Sequence, residues 1–142
     1  MNKKMTLLAG AISSVLSGAA LADINNILIT EYVESSVDNY AINSAIEITN
    51  TGTTPFTFTD YALYYSSYKN KVLKPDDATP VLKDVTIAAG ESIVVVGDNA
   101  TADLKNAVAA NSARIIYSGS YGGIGHDALN FNGDDPVWIG AD

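Results

Sequence analysis

His126 stands beside Asp127, and it is the only histidine in the chain. That pair has the chemistry of a general base, or of a metal ligand oriented by a carboxylate. A nucleophilic triad needs a third group near both, and nothing marks one out among the many serines. The pair therefore reads as a solvated loop, and no catalytic residue is assigned. Asn132-Gly133-Asp134-Asp135 offers oxygen ligands for a hard cation such as Ca2+. It lacks the ligand spacing of an EF-hand loop, and a hairpin turn already accounts for Asn-Gly between two apolar runs. Asn132, Asp134 and Asp135 stay weak metal candidates, and no cofactor is assigned. Glu31, Glu34 and Asp38 form a second acidic cluster. An ideal strand places Glu31 and Glu34 on opposite faces, so they chelate together only across a bulge.

Two other stretches carry chemistry of a weaker kind. Gly119-Ser120-Tyr121-Gly122-Gly123-Ile124-Gly125 superficially resembles a phosphate loop. A phosphate cradle needs a following helix N-terminus and usually a lysine, and neither is expected here. Tyr64, Tyr65 and Tyr68, interleaved with Lys69, Lys71 and Lys74, make the one basic-aromatic patch. Such a patch stacks on a sugar or on single-stranded nucleic acid. The opposing reading is a solubilising strand edge, since lysines blunt edges.

The elements that would position these groups are mostly strands. Residues 24–34 carry apolar side chains on both faces, with Ile27 and Ile29 on one and Leu28, Thr30 and Tyr32 on the other. That predicts a strand covered on both sides. Ala45-Ile46-Glu47-Ile48-Thr49 alternates, with Ile46 and Ile48 inward and Glu47 outward. Phe56 to Thr59 and Tyr61 to Tyr65 read as short strands, and 66–80 as an exposed excursion. Val81 to Ile87 alternates and reads as a strand, and Ala88-Ala89-Gly90-Glu91 as a tight connection. Ile93 to Val96 is a continuous apolar run and the most buried strand expected. One helix is predicted over 102–110, with Thr101 as N-cap, Asp103 in the first turn, and Leu104 and Val108 on one face. Arg114 to Tyr117 is a strand, and a hairpin joins Ala128–Phe131 to Pro136–Ile139 through Asn132-Gly133. Short strands with regular turn signals predict a β-sandwich or Greek-key barrel.

The N-terminus reads differently. Lys3 and Lys4 precede an apolar run from Met5 to Leu16, and Ala20-Leu21-Ala22 matches a signal-peptidase site. The run falls short of the ~20 residues of a spanning helix. Residues 1–22 are thus expected to be a cleaved signal peptide, with no membrane span afterwards and a secreted or periplasmic destination. Residues 23–142 form the single domain. There are no cysteines, so packing alone must stabilise it. The formal charge is −8, and losing Lys3 and Lys4 takes it two lower, to −10. That field repels phosphate backbones and anionic lipid.

These residues together are similar to a family. Ile29-Thr30-Glu31-Tyr32-Val33-Glu34, a polar loop, and Ala45-Ile46-Glu47-Ile48-Thr49-Asn50 resemble the opening of secreted bacterial lamin-tail domains. Asp60-Tyr61-Ala62-Leu63 with Ile87-Ala88-Ala89-Gly90-Glu91 resembles the middle strands, and Leu129-Asn130-Phe131-Asn132-Gly133-Asp134-Asp135 the late hairpin. The resemblance implies an all-β, immunoglobulin-like sandwich with one short helix. It also implies a non-catalytic binding or targeting module, like the N-terminal module of extracellular nucleases whose catalytic domain is absent here. Partners would be a protein or a cell-surface or matrix component, and nucleic acid only through that absent domain. The loop through Ser44 is longer than is usual in the family. The family continues with a further strand past the late hairpin, so 23–142 is expected to lack its last strand. The expected consequence is a fragment of a longer product, or a final edge that pairs with another molecule.

Overall fold

The computed structural model describes residues 22–34, 43–66, 70–72, 80–111, 114–119, 129, 131 and 135–142. A four-stranded sheet runs in the order β1 (Ile27–Val33), β2 (Ala45–Asn50), β7 (Ser92–Val96), β8 (Ile115–Tyr117). A three-stranded sheet runs β5 (Asn70–Val72), β4 (Tyr61–Ser66), β9 (Val137–Ala141), and β3 (Phe56–Thr57) pairs with β6 (Thr86–Ile87). All pairs are antiparallel except β7 with β8. Parallel neighbours need a long crossover, and here it carries α1 (Ala102–Asn111), the one α-helix among the described residues.

The sheets face each other across one core. Ile46, Ile48, Ile93 and Val95 from the four-stranded sheet meet Leu63 and Tyr65 from the three-stranded one, with Phe56, Phe58, Leu82, Ile87, Leu129 and Phe131 filling between. This is an immunoglobulin-like β-sandwich. A second cluster lies on the outer side of the four-stranded sheet, where Leu104 and Val108 of α1 pack with Ala45, Val94, Val96 and Ile115. The valine run is therefore buried from both sides, by the opposite sheet and by the helix. α1 starts after Thr101, whose carbonyl accepts from the Lys105 amide at 3.0 Å. Thr101 Oγ1 lies 3.5 Å from the Leu104 amide.

Four expectations need correction. Among the described strands β1 pairs with β2 alone, and Leu28, Tyr32 and Val33 are exposed, so it is not covered on both sides. Its register also shifts between Ile29 and Glu31. That bulge moves Tyr32 onto the core side with Ile29, where its ring stacks 4.7 Å from Phe131. Residues 81–84 form a turn, and only Thr86–Ile87 is strand. Pro80 starts that turn: its carbonyl takes the Lys83 amide at 2.9 Å, and Asp84 adopts φ 59°. Leu82, of the opposite parity to Val81 and Val85, is the side chain it buries completely. The excursion at 66–80 contains strand β5. Finally, β9 pairs with β4, from Tyr61↔Ala141 to Tyr65↔Val137, and Leu129 and Phe131 are not strand residues. The Asn132-Gly133 turn itself lies outside the described residues.

Candidate functional site

The bulge in β1 decides what its outer face presents. Thr30 is the extra residue, and its hydroxyl donates to Glu47 Oε1 at 2.5 Å and lies 2.9 Å from Thr49 Oγ1. Thr49 Oγ1 in turn lies 2.7 Å from Ser92 Oγ. Past the bulge, Glu31 stands directly opposite Glu47. Like charges in facing positions are unfavourable in a sheet. No Lys or Arg with a described side chain relieves them. Lys83 donates to Thr59 O, Lys105 to Asp98 O, and Arg114 to Thr86 O, and Arg114 also forms an ion pair with Glu91 at 3.5 Å.

This carboxylate pair borders a groove of about 420 Å3 between α1 and the sheet. β1 gives Glu31 and Val33, β2 gives Ala45 and Glu47, and β7 gives Val94. The helix adds Leu104, Ala107, Val108 and Asn111. Leu104 and Val108 share a face at i, i+4, and the small Ala107 leaves the space open. Asn111 turns its amide back onto the Ala107 carbonyl at 2.8 Å. The last turn of α1, with no basic residue in it, thus borders the groove. A helix C-terminus carries partial negative charge, which adds to that of the two glutamates. The walls can bury a hydrocarbon and the rim can hold a cation. The lining carries no Ser, Thr, Cys, Lys or His, and its ionisable groups are the two carboxylates.

The residues singled out in the sequence fall elsewhere. Tyr64 and Tyr65 lie on opposite faces of β4. Tyr65 is buried in the core, so it does not belong to an exposed patch. Tyr64 stacks on Trp138 with ring centres 5.5 Å apart and donates its hydroxyl to Ala141 O at 2.6 Å. Lys71 pairs with Tyr65 in the ladder, while Tyr68, Lys69 and Lys74 lie outside the described residues. So do His126, Asp127, Asn132, Asp134, Asp38 and the loop from 120 to 125. Asp135 is half-buried next to Pro136. Glu34 accepts from the Tyr32 hydroxyl at 2.7 Å, because the bulge precedes both glutamates and leaves Glu31 and Glu34 on separate faces. Among the described residues no three His, Cys, Asp or Glu side chains group to hold a metal ion. The groove itself was not anticipated. Its sequence signals were the outward parity of Glu47 and the Leu104–Val108 spacing.

An immunoglobulin-like sandwich with a helix-covered outer face and a non-covalent groove defines the class of domain. The model of the lamin tail domain family matches residues 21–138, and the chain belongs to that family. No curated protein matches the chain.

Proposed function

We propose that this chain is an exported, non-catalytic recognition module. The observation that carries the reading is the groove under α1, which has apolar walls and a rim of two carboxylates with no Ser, Cys, Lys or His beside them. Such a lining suits recognition of an apolar group with a cationic end better than turnover. Membership of the lamin tail domain family supports a module that works by binding. The basic, apolar and small-residue pattern of residues 2–22 supports export. The resemblance of the opening strands and late hairpin to secreted bacterial lamin-tail modules supports a role in targeting or spacing an exported enzyme such as an extracellular nuclease. The acidic surface favours basic or neutral partners over nucleic acid.

Expression of the full chain with its own leader in a bacterial host, followed by fractionation and intact-mass measurement, tests this. Recovery outside the cytoplasm with a mass beginning at Asp23 is the expected result. Retention in the cytoplasm with Met1 to Ala22 still attached would overturn the exported role.

A further inference from the structure

The groove under α1 has a floor and a mouth of different character. Ala45 and Val94 on the floor are 3% and 6% exposed, and Leu104 and Val108 of α1 are half-buried against them. Glu47 is half-buried and Glu31 is exposed, so the charge stands toward the opening. Ala107 is exposed and carries only a methyl group, so the helix leaves the space unfilled. At about 420 Å3 the groove has the size of a small-molecule site.

We propose that this groove binds a small primary alkylammonium, with the hydrocarbon tail among Val33, Val94, Leu104 and Val108 and the ammonium at Glu31 and Glu47. The inference rests on the reading of this chain as a recognition module and names the ligand class of its site. Charge complementarity selects the head group. An ammonium has three N–H donors, and the two facing carboxylates offer it charged acceptors. It also neutralises the repulsion between Glu31 and Glu47. The C-terminal turn of α1, with no basic residue, favours the same charge. No aromatic ring lines the groove, which disfavours a quaternary ammonium, the cation that aromatic faces hold. A bare divalent cation needs more oxygen ligands than this pair supplies, and among the described residues no third His, Cys, Asp or Glu joins them. The order of burial selects a free molecule over a lysine of a partner protein. A protein-borne lysine enters head first and would carry its ammonium down to Ala45 and Val94, where nothing pairs with it. A free amine enters tail first and leaves its head at the mouth.

The test is titration of the full, 15N-labelled chain with hexylammonium chloride, and separately with hexanol, hexanoate and acetyl-lysine methylamide. Hexylammonium should shift the amides of residues 31–33, 45–47 and 104–111. It should bind at least about tenfold more tightly than each of the other three. Glu31→Gln should bind about tenfold more weakly while melting no lower than the natural chain, because it relieves the facing charges. Ala107→Leu should fill the groove from the helix side and lose a similar factor. The Glu31→Lys/Glu47→Gln double variant should instead prefer hexanoate, a reversal that a misfolded variant cannot produce. Hexanol or hexanoate binding the natural chain as tightly as hexylammonium would overturn the proposal. So would shifts confined to other surfaces, unchanged affinity in Glu31→Gln or Ala107→Leu, or equal binding of the lysine derivative. Hydrolytic turnover by the chain would sink the module reading and leave the titration result standing. No hexylammonium binding, without turnover, would sink this inference alone.

Discussion

Asn50 at the end of β2 donates through Nδ2 to the carbonyl of Ile87 in β6, at 3.1 Å and out of reach of water. The same nitrogen donates to Thr54 O at 2.8 Å, and Oδ1 accepts from the Gly52 amide at 2.9 Å. One side chain thus closes the β2–β3 turn and ties the four-stranded sheet to the β3–β6 pair. Its main chain takes part as well, with Asn50 N bonded to Glu91 O at 3.0 Å and Gly90 N to Asn50 O at 2.9 Å. Replacing it by alanine leaves buried carbonyl and amide groups unpaired. Asn50→Ala should destabilise the fold by about 3 kcal/mol. Urea denaturation should show a lower midpoint with an unchanged slope.

Phe131 is 1% exposed yet lies outside any strand. It anchors its segment by filling the core and stacking on Tyr32 of β1. Phe131→Ala should cost about 3–5 kcal/mol, the range for deleting a buried aromatic ring. Tyr32→Ala removes a ring that is 41% exposed, so its cost should be clearly smaller. Equal losses from the two variants, measured by the same denaturation, would show that the stack rather than the cavity dominates.

Trp138 is the single tryptophan, and its ring lies nearly parallel to Tyr64, with 9° between the planes. Gly140 makes room for both: a Cβ there would fall 3.3 Å from Trp138 Nε1 and from Tyr64 Cε2. Gly140→Ala should therefore displace the rings by a few tenths of an ångström and cost about 1 kcal/mol. Tryptophan fluorescence reports it directly. Tyr64→Ala should shift the emission to longer wavelength by baring the indole, and Gly140→Ala should shift it less.

Much of this architecture was legible in the residues. Ile93 to Val96 has no polar face, and it occupies the strand buried by both the opposite sheet and α1. Leu104 and Val108 marked the helical face that docks on that strand. What misled is equally specific. The alternation of Val81, Val85 and Ile87 has a strand period, but Pro80 closes a turn that a period-2 pattern does not reveal. The apolar residues of β1 gave no sign that Leu28 and Val33 stay exposed, because cover is a property of the partners a strand finds. Asn132-Gly133 is a local hairpin signal, whereas β9 finds its partner far back in the sequence, at Tyr61–Tyr65. The groove needs Glu31, Glu47, Val94 and Asn111 to converge, and no short motif encodes that convergence.

Glu31 and Glu47 face each other across the β1–β2 ladder, an arrangement expected to cost stability. Glu31→Gln should raise stability by about 0.5 kcal/mol at low salt, the scale of a cross-strand charge term. The gain should shrink at high ionic strength, where the repulsion is already screened. Paired thermal melts of the natural chain and the variant at low and high NaCl check this. Glu47→Gln should gain less, because Glu47 accepts the Thr30 hydroxyl.

The role proposed for this domain is recognition without reaction. Incubation of the purified chain with single- and double-stranded DNA, RNA and a phosphomonoester, in Mg2+ and in Ca2+, tests it most directly. The predicted result is product formation no faster than in buffer, with no difference between the natural chain and His126→Ala. Turnover by the natural chain that disappears in His126→Ala would contradict it.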